Sequence, residues 1–337
     1  MSTRVAPAEI TAAMGAEPTD EQWAAISWPL EPCVLIAGAG SGKTSVMAAR
    51  VVYLALGALG RADAPGVMPG NVLCLTFTNK ATENLRLRVR RALAHLELAE
   101  GEEPEIMNYH GFAASLLDRY GVLAGFEPGA RVLNQAQREE LCGRVLDRMT
   151  FEHAAATYQP SLVSKILELD DQLQNHRVAP TEALAWLHDR LETLKNHRSE
   201  RSYRAAEERI ELTEAAILYR ELKAELGVID FGDQIDRAIE IVTRFPDVVA
   251  DHRARFQAVL LDEYQDTNVA QAELMGALFG AGHPVTAVGD PDQNIYAWRG
   301  ASLWNLLHFR TQFPLLDGAE SAQLPLYTNF RSGARIL

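Results

Sequence analysis

The densest chemistry in this chain sits in the nine residues Ala37-Gly38-Ala39-Gly40-Ser41-Gly42-Lys43-Thr44-Ser45. The first eight fit the relaxed pattern (A/G)-x-x-x-x-G-K-(S/T), with Ala37 where the strict pattern has glycine. Gly38, Gly40 and Gly42 let the backbone fold tightly enough for its N–H groups to face an anion. A helix N-terminus following the turn would add the positive end of its dipole. At this spacing Lys43 reaches the β- and γ-phosphates of a nucleotide, and the Thr44 hydroxyl ligates Mg²⁺. An acidic pair, Asp262-Glu263, closes the apolar run Ala258-Val259-Leu260-Leu261. Asp262 suits a Mg²⁺ ligand acting through water, and Glu263 suits orienting or deprotonating an attacking water.

These groups need elements to hold them. Cys33–Ala37 is a short apolar run of strand type, and Ser45 to Leu56 has helical spacing without a breaker, so a strand, a glycine turn and a helix start are predicted in that order. Asn71 to Phe77 is a second strand. It feeds Thr78-Asn79-Lys80-Ala81-Thr82 and a helix whose Arg86, Arg88, Arg90 and Arg91 either face a phosphate backbone or form a solvated face. Ile106 to His110 is a short strand leading into a helix through Tyr120. Ala258–Glu263 and Pro284–Asp290 are strands, with helices from about Asn268 and Ser302. Buried-type strands alternating with helices predict an α/β fold with a parallel sheet covered on both faces. From Gly121 to Gly227 strands give way to helical patterns (Ala136–Met149, Leu162–Asn175, Thr181–Asn196, Ser202–Leu226), which predicts an inserted all-helical domain. Met1 to Glu17 is expected to be a mobile tail, and a helix opens at Pro18–Gln22 with Thr19 or Asp20 as its cap.

At 337 residues the chain can bury a sizeable core. The net charge of −13 argues against nucleic acid only as a whole-chain sum, since binding needs no more than a local basic track. Cys33, Cys74 and Cys142 are far apart and match no metal or disulfide framework, so a reducing cytoplasm is expected. No run has the apolar length of a membrane span, and the N-terminus lacks a signal pattern.

The longer run Asp262-Glu263-Tyr264-Gln265-Asp266-Thr267-Asn268, with the segments around it, resembles the UvrD/Rep/PcrA family of superfamily 1 DNA helicases. The resemblance implies a RecA-like P-loop sheet, ATP and Mg²⁺ as cofactors, and 3′ to 5′ movement. It gives Gln22 the reading of adenine, and makes Ala37 to Thr44 the family's A-G-A-G-S-G-K-T loop. Thr76-Phe77-Thr78-Asn79-Lys80-Ala81 is similar to its single-stranded DNA segment. Gly289-Asp290-Pro291-Asp292-Gln293-Asn294-Ile295-Tyr296-Ala297-Trp298-Arg299 is similar to its coupling motif, in which Gln293 senses the γ-phosphate and Trp298 stacks on a base. A base on an indole contributes roughly 1–3 kcal/mol whatever its sequence. Asn329-Phe330-Arg331-Ser332 resembles N-Y-R-S, giving Phe330 stacking on adenine and Arg331 contact with the γ-phosphate. Asn108-Tyr109-His110-Gly111-Phe112 stands where the family has T-F-H-S, leaving His110 as the DNA contact there or as a structural histidine. Asn294 replaces serine and Phe330 replaces tyrosine. Asp230-Phe231-Gly232-Asp233 is similar to a D-F-x-D re-entry into the first domain.

The expected division is 1–120 and 228–323 for the RecA-like domain, 121–227 for the helical insertion, and 324–337 for the start of a second RecA-like domain. The chain is then expected to be the N-terminal part of a longer helicase that hydrolyses ATP poorly alone, because the family's arginine finger lies in that second domain. Implied partners are single-stranded DNA and duplex junctions, the second RecA-like domain and DNA-repair proteins, with no membrane. The motor subunit of a helicase–nuclease fits the same motifs. A nucleotide-binding regulatory module that does not unwind DNA stays open as well, although it would need neither Glu263 nor Trp298.

Overall fold

A computed structural model describes residues 7–96, 98, 101–127, 129–154, 159–197, 200–297 and 300–332. Helices α1 (Ala8–Met14) and α2 (Asp20–Ile26) precede strand β1 (Cys33–Ala37), which turns into α3 (Lys43–Ala58). Then come β2 (Val72–Thr76), α4 (Asn79–Leu93), β3 (Glu105–Asn108) and α5 (Tyr109–Tyr120). The middle of the chain runs through β4 (Arg131–Val132), α6 (Gln135–Leu146), α7 (Gln159–Asn175), α8 (Pro180–Leu194), α9 (Arg201–Glu225) and β5 (Val228–Ile229). Helices α10 (Phe231–Arg244) and α11 (Pro246–Arg255) lead to β6 (Ala258–Leu261), α12 (Val269–Phe279) and β7 (Val285–Gly289). The last elements are α13 (Leu303–Leu307), α14 (Phe309–Gln312) and β8 (Ala322–Leu326).

The chain divides into two compact units, Met1–Phe112 with Val242–Leu337, and Ala113–Ile241. The first unit holds a six-stranded sheet in the order β3-β2-β6-β7-β1-β8. Every pairing is parallel, with Cys33 opposite both Thr286 and Ala322 and Cys74 opposite both Ile106 and Leu260. Strands β2, β6 and β7 are buried at every residue, whereas the edge strands β3 and β8 are buried only in part. Continuous apolar runs are what a parallel strand needs when helices cover both faces. Parallel pairing also puts all six carboxyl ends, at Ala37, Thr76, Asn108, Leu261, Gly289 and Leu326, on one edge of the sheet. The crevices at that edge are where open α/β sheets bind ligands.

Helix α3 is buried from Val46 through Leu56. Its Arg50 is 2 % exposed, and the guanidinium donates to the carbonyls of Ile26 (3.0 Å), Trp28 (2.7 Å) and Pro29 (3.0 Å). Burial pulls its pKa below the usual arginine value. The fork fastens the end of α2 to α3, and a buried guanidinium is tolerable only with such partners.

The expected mobile tail is corrected by α1. Ile10 is fully buried, and Gly15 ends the helix in a left-handed conformation with its N–H donating to the Thr11 carbonyl at 2.9 Å. A seven-residue helix shows too little periodicity to be legible from pattern.

In the second unit α6, α7 and α9 pack around Leu141, Cys142, Val145, Ile166, Ala216 and Tyr219. It also contains a two-residue parallel pair, β4 with β5, of which β4 lies in the segment expected to be all helical; two residues are too few to show alternation. The chain passes between the two units within α5 and within α10. Asp230–Asp233 falls in the second unit and β8 in the first. All three cysteines are free and buried. Among the described residues no helix is long and apolar enough to cross a membrane.

Candidate functional site

The phosphate-loop sequence leaves β1 and is held from both sides. The Gly38 N–H donates to the Leu326 carbonyl of β8 at 3.1 Å, and the Ser41 N–H to the Gly38 carbonyl at 3.2 Å. Gly40 (φ 75°) and Gly42 (φ 86°) are left-handed, a conformation that costs other residues about 1–2 kcal/mol. Gly42 caps α3, so Lys43 and Thr44 stand in its first turn with their N–H groups at the positive end of the helix. A side chain at Gly40 would also run into Arg331 and Asn329, each 2.7 Å from where its Cβ would be.

Lys43 Nζ pairs with Glu263 Oε2 at 3.0 Å. Glu263 directly follows Asp262 past the end of β6 and has a left-handed backbone, φ 48°. Asp262 is 4 % exposed; burial first, and then the neighbouring Glu263 charge, push its carboxyl up to about 7, while Lys43 works the other way. Its Oδ1 accepts the Glu263 N–H at 3.1 Å.

Gln265, which sequence reasoning missed, joins two of these segments. It is 1 % exposed; its Nε2 donates to Glu263 Oε2 (2.9 Å), and its Oε1 accepts the Asp290 N–H (3.0 Å). Asn294 donates to the Gln265 carbonyl at 2.7 Å, which gives that departure from serine a structural place. Gln293 Nε2 donates to Asp290 Oδ2. A polar residue inside an apolar-flanked motif was the available signal, but its partners lie too far along the chain to be inferred.

Gln22 closes a capping box with Thr19 and donates from Nε2 to the Ser41 carbonyl at 3.0 Å, which ties α2 to the loop. One Nε2 hydrogen and one Oε1 lone pair stay available for a base edge. The Phe330 N–H donates to the Gly40 carbonyl at 2.9 Å, and its ring is exposed. Ala37 ends β1 in the core, and Ala39 is exposed on the turn. Gly40, Ser41, Gly42, Lys43, Thr44, Ser45, Glu263, Gln293 and Arg331 line one cavity of about 180 Å³, together with Arg88, for which the sequence left a phosphate-backbone contact and a solvated face both open.

The segments expected to meet DNA leave β2 and β3 at the same edge of the sheet. The Phe77 ring packs on Tyr296 with centroids 5.2 Å apart. Thr78 caps α4 by accepting the Ala81 N–H at 3.1 Å. Asn79 Oδ1 accepts from Asn108 Nδ2 at 2.6 Å, and Asn108 Oδ1 in turn accepts the Gly111 N–H beside half-buried His110. Trp298 lies outside the described residues.

The UvrD/REP helicase N-terminal domain family matches residues 18–314. The chain belongs to that family. It is 29% identical over 321 residues to the ATP-dependent DNA helicase PcrA of Staphylococcus aureus (strain Mu50), covering 94% of this chain and 38% of that one. The PcrA of Staphylococcus epidermidis (strain RP62A) gives the same identity and coverage. The chain therefore spans a little over a third of the length of the curated relatives it matches.

Among the described residues no group of three or more His, Cys, Asp and Glu side chains could hold a metal. Thr44 with Asp262 offers hard oxygen donors, a set suited to Mg²⁺, which keeps waters and takes its other ligands from phosphate. The loop also fits a polyphosphate: two glycines hold conformations that open N–H groups, and the buried Ser41 hydroxyl has no hydrogen-bond partner.

Proposed function

We propose that this chain is the ATP-binding motor portion of a DNA helicase that moves along single-stranded DNA in the 3′ to 5′ direction. The observation that carries the reading is the convergence of Lys43, Glu263, Gln293 and Arg331 on one cavity beside the glycine loop. Four chain segments supply those residues, so a chance glycine turn would have no reason to gather them.

In this reading Lys43 exchanges its carboxylate partner for the β- and γ-phosphate oxygens of ATP. That exchange frees Glu263, whose Oε2 orients the attacking water and takes its proton. Thr44 and Asp262 would hold Mg²⁺, which supplies charge neutralisation at the phosphates. Gln293 reports the γ-phosphate to the segment that follows it, and Arg331 stabilises charge developing there. Gln22 and Phe330 hold the adenine by its edge and its face. Phe77, Thr78, Asn79, His110 and Trp298 contact the strand. Residues 121–227 would be the insertion within this motor domain.

On its own the 337-residue chain should turn ATP over slowly, since in related systems an arginine from a second part of the machine adds about 10³–10⁵ in rate. The deciding experiment measures ATP binding and turnover with and without single-stranded DNA, beside Lys43→Ala. Binding that depends on Lys43, with slow turnover, supports the reading. Binding indifferent to Lys43 would sink it, and brisk DNA-stimulated turnover would sink the expectation of slow hydrolysis.

A further inference from the structure

Past the end of β8 the chain from Tyr327 to Ser332 has neither helix nor strand structure, so individual hydrogen bonds set its path. Asn329 Oδ1 accepts the N–H groups of Arg331 (2.8 Å) and Ser332 (2.9 Å), and the Phe330 N–H reaches the Gly40 carbonyl (2.9 Å). A further fastening comes from the opposite end of the sequence. Glu21, in the first turn of α2, accepts at Oε2 the Tyr327 N–H (2.9 Å) and the Thr328 N–H (3.3 Å), with Thr328 Oγ1 at 3.5 Å. The positive end of α2 favours an acidic residue there. That preference alone would leave the carboxylate in water, not on two successive N–H groups.

We propose that Glu21 is a positioning residue of the nucleotide site, holding the Tyr327–Ser332 segment so that the Phe330 ring faces the base that Gln22 reads. The inference rests on the adenine reading of Gln22 and Phe330 above and adds to it the group that sets one against the other. Glu21 and Gln22 are neighbours on α2. Gln22 ties that helix to the phosphate loop through the Ser41 carbonyl, and Glu21 ties it to the segment that carries Phe330. The Phe330 ring is 59 % exposed, so packing does not fix it and its backbone must. A carboxylate suits that task, since its bonds to N–H groups are about twice as strong as those between neutral partners.

The test is calorimetric titration of the 337-residue chain with ATPγS, for the wild type and for Glu21→Ala, Glu21→Gln, Phe330→Ala and the double variant Glu21→Ala/Phe330→Ala. Tyr327 and Thr328 are exposed and Glu21 is half-buried, so these changes leave the core untouched. Glu21→Ala should weaken binding about three- to tenfold, and Glu21→Gln, whose amide oxygen still accepts, should recover part of the loss. Once Phe330 is gone, Glu21→Ala should cost less than about a further twofold, because the two residues act as a unit. Fully additive losses would overturn the proposal by showing that Glu21 does not act through Phe330. So would wild-type affinity in Glu21→Ala while Phe330→Ala loses binding, a result that leaves the adenine reading standing. Wild-type affinity in Phe330→Ala would overturn that reading and the proposal with it.

Discussion

Glu263 combines two features that neighbouring residues do not share, a left-handed backbone at φ 48° and a carboxylate 3.0 Å from Lys43 Nζ. A side-chain-bearing residue held there costs the fold on the order of 1–3 kcal/mol, which persists where surrounding contacts over-determine it. Here the Gln265 amide and the Lys43 ammonium both grip the carboxylate. Glu263→Gln keeps the shape and removes the base. Single-turnover hydrolysis should fall by about 10²-fold or more with ATP affinity kept, and an unchanged hydrolysis rate would remove Glu263 from the chemistry. The loop glycines make a second contrast. Gly40→Ala places a Cβ at φ 75° against Arg331 and Asn329, whereas Gly38→Ala meets nothing within 4 Å. Thermal unfolding should show Gly40→Ala destabilised by about 1–2 kcal/mol or more and Gly38→Ala nearly neutral; equal effects would mean that backbone conformation is not what selects glycine at 40.

Elements enter through the residues that fasten them. His283 sits between α12 and β7, with its ring stacked on Phe279 at 5.1 Å and its Nε2–H donating to the Phe256 carbonyl at 2.7 Å. Burial lowers its pKa to about 4, and the Arg253 guanidinium nearby also disfavours the imidazolium. An unfolded histidine titrates near 6.5, so between about pH 6.5 and 4 the unfolded chain binds more protons than the folded one. The stability that neutral His283 supplies is complete above about pH 6.5 and is lost as pH falls toward 4. Urea melts across that range should show a decline that His283→Gln, which retains a donor, flattens. Identical pH profiles for the two proteins would contradict the assignment.

On the scale of the molecule, each compact unit has its own organising core. The first has the parallel sheet; the second surrounds a set of charges taken out of water. Lys223 is 3 % exposed and lies 2.6 Å from Asp230 and 2.8 Å from Asp233. Arg220 holds fully buried Asp170 at 2.5 Å, and Arg138 holds Asp171 at 2.5 Å. Asp230 and Asp233 also exchange backbone-to-carboxylate bonds across the start of α10. Removing one partner of such a set leaves buried charge uncompensated. Lys223→Met should therefore destabilise the second unit by about 3–5 kcal/mol in chemical unfolding monitored by a probe within it. A loss below about 1 kcal/mol would show that the network is dispensable.

Local chemistry was legible in the sequence. The loop from Ala37 to Ser45 works through backbone groups that neighbour one another along the chain, and Asp262-Glu263 declares itself by closing an apolar strand. Strand type was legible for the same reason, since the central strands are apolar at successive residues and the periodicity is short-range. Tertiary structure alone decided which strands lie side by side, because a parallel sheet is joined by crossovers whose lengths do not encode its order. It also decided how polar groups are satisfied: Arg50 on three carbonyls, Gln265 between two motifs, Arg88 on Ser45, and Asp230 on Lys223. A buried polar side chain needs a partner wherever the fold brings one, and most of these partners come from other elements, which one-dimensional spacing does not record.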